Sequence, residues 1–259
     1  MPTFTVPGAE LDVELSDEGG HPVVQLHGLT SSRQRDRLLD LDLGRGLSGT
    51  RLLRYDARGH GRSGGRAVPE DYRWSVLAED LLRLLDASFP GEQVHGVGPS
   101  MGTGTLLHAA VREPERFAGL TLVIPPTAWA TRTAKADDYL RAAEIVETAG
   151  MAAFVEAGRL APSPPATAHT PDTLPDVSEE LLPSLLRGAA QSDLPPAERI
   201  AALAVPVTIL SWTEDPAHPV STAEALAGLL PQTRLEVART PEDLARWPEI
   251  LRADVAAHG

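Results

Sequence analysis

The chain has 259 residues, 42% of them hydrophobic and 23% charged, with a formal net charge of −13. That length suits one large domain, or a core with an insertion, and is enough to bury a sizeable core. The acidic balance argues against nucleic acid as a partner. The absence of cysteine excludes disulfides, thiolate metal sites and a cysteine nucleophile.

The start, Met1-Pro2-Thr3-Phe4-Thr5, has neither the basic nor the apolar part of a signal peptide. No run approaches the ~18 apolar residues of a membrane helix. A cytoplasmic protein with no membrane partner is therefore expected. Residues 4–6 and 10–15 are predicted as short strands, with a turn over 17–20. The apolar run 22–26 is a third strand, ending at His27-Gly28. Residues 51–55 make a fourth, ending at Asp56. Val76, Leu77, Leu81, Leu84 and Leu85 recur at helical spacing, which predicts a helix over 74–89 that stops at Pro90-Gly91. Residues 93–97 form the next strand, 101–112 the next helix and 120–124 the strand after it.

From residue 125 to about 202 the texture changes. Helical pieces over 136–149 and 179–190 flank a proline-rich stretch, 161–175. Tyr139, Leu140, Ile145, Phe154 and Leu185 need burial, so this region is expected to be an ordered helical insertion. It contains Lys135, the only lysine among 23 basic residues, a usage that fits a GC-rich genome. Strand–helix alternation then resumes, with a strand over 206–212, a helix over 222–230, a strand over 234–237 and a final helix over 241–257. Alternating strands and helices imply a mostly parallel sheet covered on both faces.

The chemistry-bearing signal is Gly98-Pro99-Ser100-Met101-Gly102, set between a predicted strand and a predicted helix. A G-x-S-x-G there is a nucleophile elbow. The sharp turn exposes the serine hydroxyl and sets it at a helix N-terminus, where developing negative charge is stabilised. Three further signals accompany it in order: His27-Gly28 after a strand, the run Asp56-Ala57-Arg58-Gly59-His60-Gly61-Arg62-Ser63 after the next strand, and Asp215 in Glu214-Asp215-Pro216 after a late strand. Together these resemble the α/β-hydrolase superfamily, and in particular its small esterase, lactonase and haloperoxidase-like members. The resemblance covers nearly the whole chain except the insertion.

It implies an α/β-hydrolase fold with a mostly parallel eight-stranded sheet. The core would be residues 1–124 and 203–259, and residues 125–202 would form a helical cap. It also implies an oxyanion hole built from the N–H groups of Leu29 and Met101, with Ser100 as nucleophile and Asp215 as the acid that orients a histidine. The alternative role of Asp215 is to cap the helix that follows. The run from Asp56 to Ser63 reads as architectural: Asp56 and Arg58 pin the loop, Gly59 and Gly61 permit positive φ, and His60 belongs to the turn. His27, Trp129 and Trp212 are candidate substrate contacts, whereas Trp74 and Trp247 read as packing. Thr103 and Gly104 let the helix approach the sheet.

The family order Ser, Asp, His leaves a gap. A histidine is expected in the loop after the last strand, yet Ala238-Arg239-Thr240-Pro241-Glu242 contains none. After Asp215 come only His218 and the penultimate His258. A serine hydroxyl needs an adjacent base, and His218 can reach the same sheet edge from an unaccustomed direction. Three readings stay open. His218 is the base, or the pocket performs a cyclase, lyase or isomerase step without a nucleophilic serine, or the fold is a quiet ligand-binding protein. The resemblance favours hydrolysis of a carboxylic ester or lactone of a small hydrophobic substrate, with no cofactor. No metal-ligand spacing is visible, and His95 and His108 read as core histidines. Arg132 and Arg141 could address a substrate carboxylate, though solvated helix arginines are the default reading.

Overall fold

The structure is a computed structural model that describes residues 2–258. Eight strands form one sheet in the order β1-β2-β4-β3-β5-β6-β7-β8. They are β1 (Thr3–Val6), β2 (Ala9–Asp17), β3 (Pro22–Gln25), β4 (Arg51–Tyr55), β5 (Val94–Pro99), β6 (Phe117–Val123), β7 (Val207–Trp212) and β8 (Thr233–Ala238). β1 and β2 pair antiparallel, and β2 runs antiparallel to β4. From β4 onward every neighbouring pair is parallel. β3, β5 and β7 are buried at every position, as expected of parallel strands covered on both faces.

The two faces bury separate clusters, and successive residues fall alternately into them. Val24, Leu53 and Ile209 belong to one cluster with Leu81, Leu106 and Leu107. Val23, Leu52 and Leu210 belong to the other with Leu244, Trp247 and Leu251. That is the period-two alternation of a pleated strand. The first cluster takes α2 (Trp74–Ser88) and α3 (Met101–Arg112), the second α8 (Pro241–Ala245) and α9 (Trp247–His258).

The predicted helix over 241–257 is in fact these two. Thr240 caps α8, accepting from the Asp243 N–H, and Pro248 cannot prolong a helix begun upstream because it lacks an N–H and its ring meets the preceding turn. Two short helices were not foreseen, α1 (Arg33–Leu38) and α6 (Ala197–Ala201).

Between β6 and β7 the chain forms α4 (Arg132–Arg159), α5 (Leu182–Ala190) and α6. α4 kinks at Gly150, where φ is 82°. Its first half packs Ala143 and Val146 on Leu182 and Leu186 of α5. Leu140, expected to be buried, is 42% exposed. α7 (Val220–Leu229) follows β7. The strand order reverses between β3 and β5, so the loops at their carboxyl ends diverge and leave the crevice where open α/β sheets bind ligands.

Candidate active site

Ser100 stands in that crevice, between the end of β5 and the start of α3. Its backbone is at φ 52°, ψ −107°, a left-handed-side conformation that costs a non-glycine residue about 1–3 kcal/mol. The surroundings hold it there. The Ser100 N–H donates to the Val123 carbonyl at 2.9 Å. Thr103 Oγ1 lies 2.8 Å from the Gly98 carbonyl and 3.0 Å from that of Val123, tying α3 to two strands. The two glycines of the motif are set by crowding. A Cβ on Gly98 or on Gly102 would sit 3.0 Å from Leu26 Cβ. Gly104 serves a different neighbour from the one expected. A Cβ there would come within 2.3 Å of the Trp74 ring, so its room belongs to α2 and not to the sheet.

His218 lies in the loop between β7 and α7, and its Nε2 is 2.8 Å from Ser100 Oγ. Its Nδ1 is 2.7 Å from Asp215 Oδ2. With Nδ1–H donating to the carboxylate, Nε2 is left as an acceptor for the serine proton. Asp215 both caps and orients. Its Oδ1 accepts the N–H groups of Ala217 and His218, which folds the loop back, and its Oδ2 accepts the Trp212 indole N–H at 2.8 Å. Burial opposes the charged form. The His218 hydrogen bond and charge, with the Trp212 and Ala217 N–H groups, outweigh it and hold the carboxyl well below the usual carboxylate range. The loop after β8 contributes no side chain here, since Thr240 is used as the cap of α8. The side chain of His258 lies outside the described residues.

Two main-chain N–H groups lie close to Ser100 in the chain or in space. Met101 is the first residue of α3, so its N–H has no intrahelical acceptor. The loop carrying Leu29 passes so close that a Cβ on Gly28 would be 3.8 Å from Ser100 Cβ. Among the described residues no carbonyl takes the Leu29 N–H.

Two candidate substrate contacts, His27 and Trp129, need correction, while Trp212 has a structural role beside the cavity it borders. His27 is 3% exposed, and both ring nitrogens are used. Nδ1–H donates to the Gly28 carbonyl, and Nε2 accepts the Ala57 N–H. It shapes the loop and does not line the Ser100 cavity. Trp129 donates its indole N–H to the Pro195 carbonyl and does not line the Ser100 cavity. Trp212 supports Asp215 and stacks on Trp247 at 6.0 Å.

The run from Asp56 to Ser63 is a buried anchor. Asp56 receives the Arg33 guanidinium, and Arg58 makes two 2.7 Å bonds to Asp80. Gly59 and Gly61 have φ of 73° and 52°. His60 donates from Nδ1 to the Arg58 carbonyl, and burial, with the His27 ring beside it, pushes its pKa down to about 3. Arg132 is not solvated but buried, and it donates to the Ser192 and Ala189 carbonyls. His95 and His108 are bonded to Thr121 Oγ1 and to the Asp193 carbonyl.

Ser100 and His218 open into a cavity of about 530 Å³ whose wall includes Leu29, Tyr139, Ile145, Phe154 and Leu186. A second cavity of about 550 Å³, bordered by Trp212, shares Thr30, Phe154 and Gly158 with it. Of these wall residues, Tyr139, Ile145 and Phe154 carried only a burial signal in the sequence.

A family model described as the alpha/beta hydrolase fold matches residues 21–164, more than half of the chain. The chain belongs to this family. A curated relative, 3-oxoadipate enol-lactonase 1 of Acinetobacter baylyi, is 27% identical over 195 residues, covering 72% of this chain and 70% of its own length. The solved enol-lactonase of Burkholderia xenovorans superposes with a TM-score of 0.78 at 22% identity, covering 99% of this chain and all of that one. A thermophilic esterase from Thermogutta terrifontis gives a TM-score of 0.72 at 23% identity, covering 98% of this chain and 94% of that one. The protein is an α/β-hydrolase-fold enzyme. No helix among the described residues is long and apolar enough to cross a membrane.

Proposed function

We propose that the protein hydrolyses a carboxylic ester or lactone of a small hydrophobic compound, with Ser100 as nucleophile. The observation that carries this reading is the unbroken chain of contacts from Ser100 Oγ to His218 Nε2 and from His218 Nδ1 to Asp215 Oδ2, at 2.8 and 2.7 Å.

His218 takes the hydroxyl proton as Ser100 Oγ attacks the carbonyl carbon. The oxyanion that forms is held by the Leu29 and Met101 N–H groups, fixed dipoles that need no reorganisation. His218 then returns the proton to the leaving alkoxide, and the acyl-serine remains. In the second half His218 draws a proton from water, the hydroxide attacks the acyl carbon, and Ser100 leaves with its proton restored. For a lactone both products stay in one molecule, a hydroxy acid. Asp215 holds the ring in the tautomer that presents Nε2 to the serine and stabilises the imidazolium between the two transfers.

The distinctive feature of this reading is that acid and base lie three residues apart on one loop. The geometry of a triad is met because Asp215 folds that loop on itself. Residues 125–202 serve in this reading as the cap that selects substrate, since α4 and α5 supply most of the apolar wall over Ser100. The apolar wall favours an uncharged, modest-sized body around the scissile bond.

The test is turnover of p-nitrophenyl acetate by the wild-type chain and by Ser100→Ala. A loss of at least about a hundredfold in kcat is expected, because the positioned nucleophile and base act as a unit. An undiminished rate would remove Ser100 from the chemistry.

A further inference from the structure

The wall of the Ser100 cavity carries three formally charged side chains, all on α4: Lys135, Asp138 and Arg141. Asp138 answers both cations. Its Oδ1 is 2.5 Å from Arg141, and its Oδ2 is 3.7 Å from Lys135 Nζ. Two cations and one carboxylate leave one positive charge on the wall of a pocket in a chain whose formal net charge is −13.

The two cations are not equivalent. The Arg141 side chain is 64% exposed and holds Asp138 at the shorter distance, whereas Lys135 is 24% exposed and at the longer one. Lys135 lies along Tyr139, with Nζ 5.2 Å from the ring centroid, and Tyr139 itself faces the cavity. Positions 135, 138, 139, 142 and 145 share one face of α4 at helical spacing, and all five line the cavity. The only lysine of the chain thus borders the cavity into which Ser100 and His218 open.

We infer that Lys135 anchors a free carboxylate of the substrate, so that the substrate is an ester or lactone with an apolar body and a carboxylate remote from the scissile bond. The inference rests on the Ser100 reading above for where the bond is cut, and on the wall charge for what sits beyond it. A partly sheltered ammonium binds a carboxylate more strongly than a solvated one does, because less water competes and the charges are screened less. Lys135 would exchange its long contact with Asp138 for the incoming carboxylate, while Arg141 keeps Asp138 neutralised. None of the other polar wall groups, Thr30, Ser100, Tyr139 and His218, is a carboxylate that would repel an anion.

The experiment compares two p-nitrophenyl esters: a monoester of a short α,ω-dicarboxylic acid, and its neutral isostere with a terminal isopropyl group in place of the carboxylate. In the wild-type chain kcat/KM is expected to favour the anionic ester. Lys135→Met should lower kcat/KM for the anionic ester about tenfold or more, mainly through KM. The ratio of the two kcat/KM values, anionic over neutral, should therefore fall about tenfold, whatever loss the two esters share. Lys135→Arg should restore the preference, and Lys135→Glu should reverse it. An equal loss on both esters, or no loss on the anionic one, overturns the inference.

A second readout is independent of turnover. In Ser100→Ala, the unhydrolysed monoamide of the same diacid should slow trinitrobenzenesulfonate modification of Lys135, followed by peptide mass, at least about fivefold at saturation. An unchanged rate overturns the inference. Loss of the neutral ester's hydrolysis in Ser100→Ala tests the nucleophile reading alone, so the two failures are told apart.

Discussion

Asp36 offers the sharpest test of how the loop beside Ser100 is held. It is 1% exposed, in α1, which follows the segment that carries Leu29. Its Oδ1 accepts the Ser31 hydroxyl at 2.5 Å, and among the described residues Oδ2 has no partner. Burial raises its pKa to about 7, against the Ser31 hydrogen bond and the charge of Arg35, which lower it, and with Asp42 and Asp56 adding repulsion. In the unfolded chain the same group titrates near 3.8. A folded pKa above the unfolded one means that the folded state holds the proton more tightly. The contribution is therefore fully present below about pH 4, and it is lost as pH rises through about 7.

Roughly three pH units at about 1.36 kcal/mol each give a loss of about 4 kcal/mol between those limits. Asp36→Asn is nearly isosteric, cannot ionise, and can still accept from Ser31 through its amide oxygen. Urea unfolding followed by circular dichroism should find the two chains close in stability near pH 4. The variant should gain steadily to a few kcal/mol by pH 8, a difference on the order of 10 °C in Tm for a chain of this size. A difference between variant and wild type that is flat from pH 4 to pH 8 would refute the reasoning.

Two other substitutions separate the orienting groups from the frame. Asp215→Asn should lower kcat on p-nitrophenyl acetate about a thousandfold, because the amide cannot stabilise the imidazolium and can impose the wrong tautomer; steady-state kinetics at saturating ester would show it, with the far-ultraviolet spectrum unchanged. Arg58→Met strands the buried Asp80 carboxylate, so unfolding in urea should show a loss of about 3–5 kcal/mol, while a loss under 1 kcal/mol would mean that the pair is not a buried frame element.

The sheet was legible because its central strands are short, apolar and cut off by glycine, proline or charge, and because α2 repeats leucines at helical spacing. What escaped notice depends on distant partners. α1, Arg-Gln-Arg-Asp-Arg-Leu, has no apolar stripe. It forms where Ser32 caps it and Asp56 receives Arg33. The division of the last helix was visible in principle at Pro248, and it was obscured by apolar spacing that continues across the break.

At the site, residue types and their order singled out Ser100, Asp215 and His218, and the fold brings all three within hydrogen-bond distance. The role of Trp212 was not legible. Its indole reaches Asp215 only because the chain turns back at Glu214, which sits at φ 63°. His27 misled for the opposite reason. A histidine before a glycine at a strand end reads as a ligand contact, yet both its nitrogens are taken by main-chain groups that no local pattern reveals. Lys135 was conspicuous by being alone, and composition by itself could not say that it faces the cavity.

The account depends on His218 activating Ser100 from the same loop as the acid. The most direct measurement is the rate of covalent labelling by a fluorophosphonate, followed by intact mass and peptide mapping, in the wild-type chain and in His218→Ala. One adduct per chain, on Ser100, is predicted for the wild type, with labelling at least about a hundredfold slower in His218→Ala. Equally fast labelling of the two chains, or an adduct on any residue other than Ser100, would contradict it.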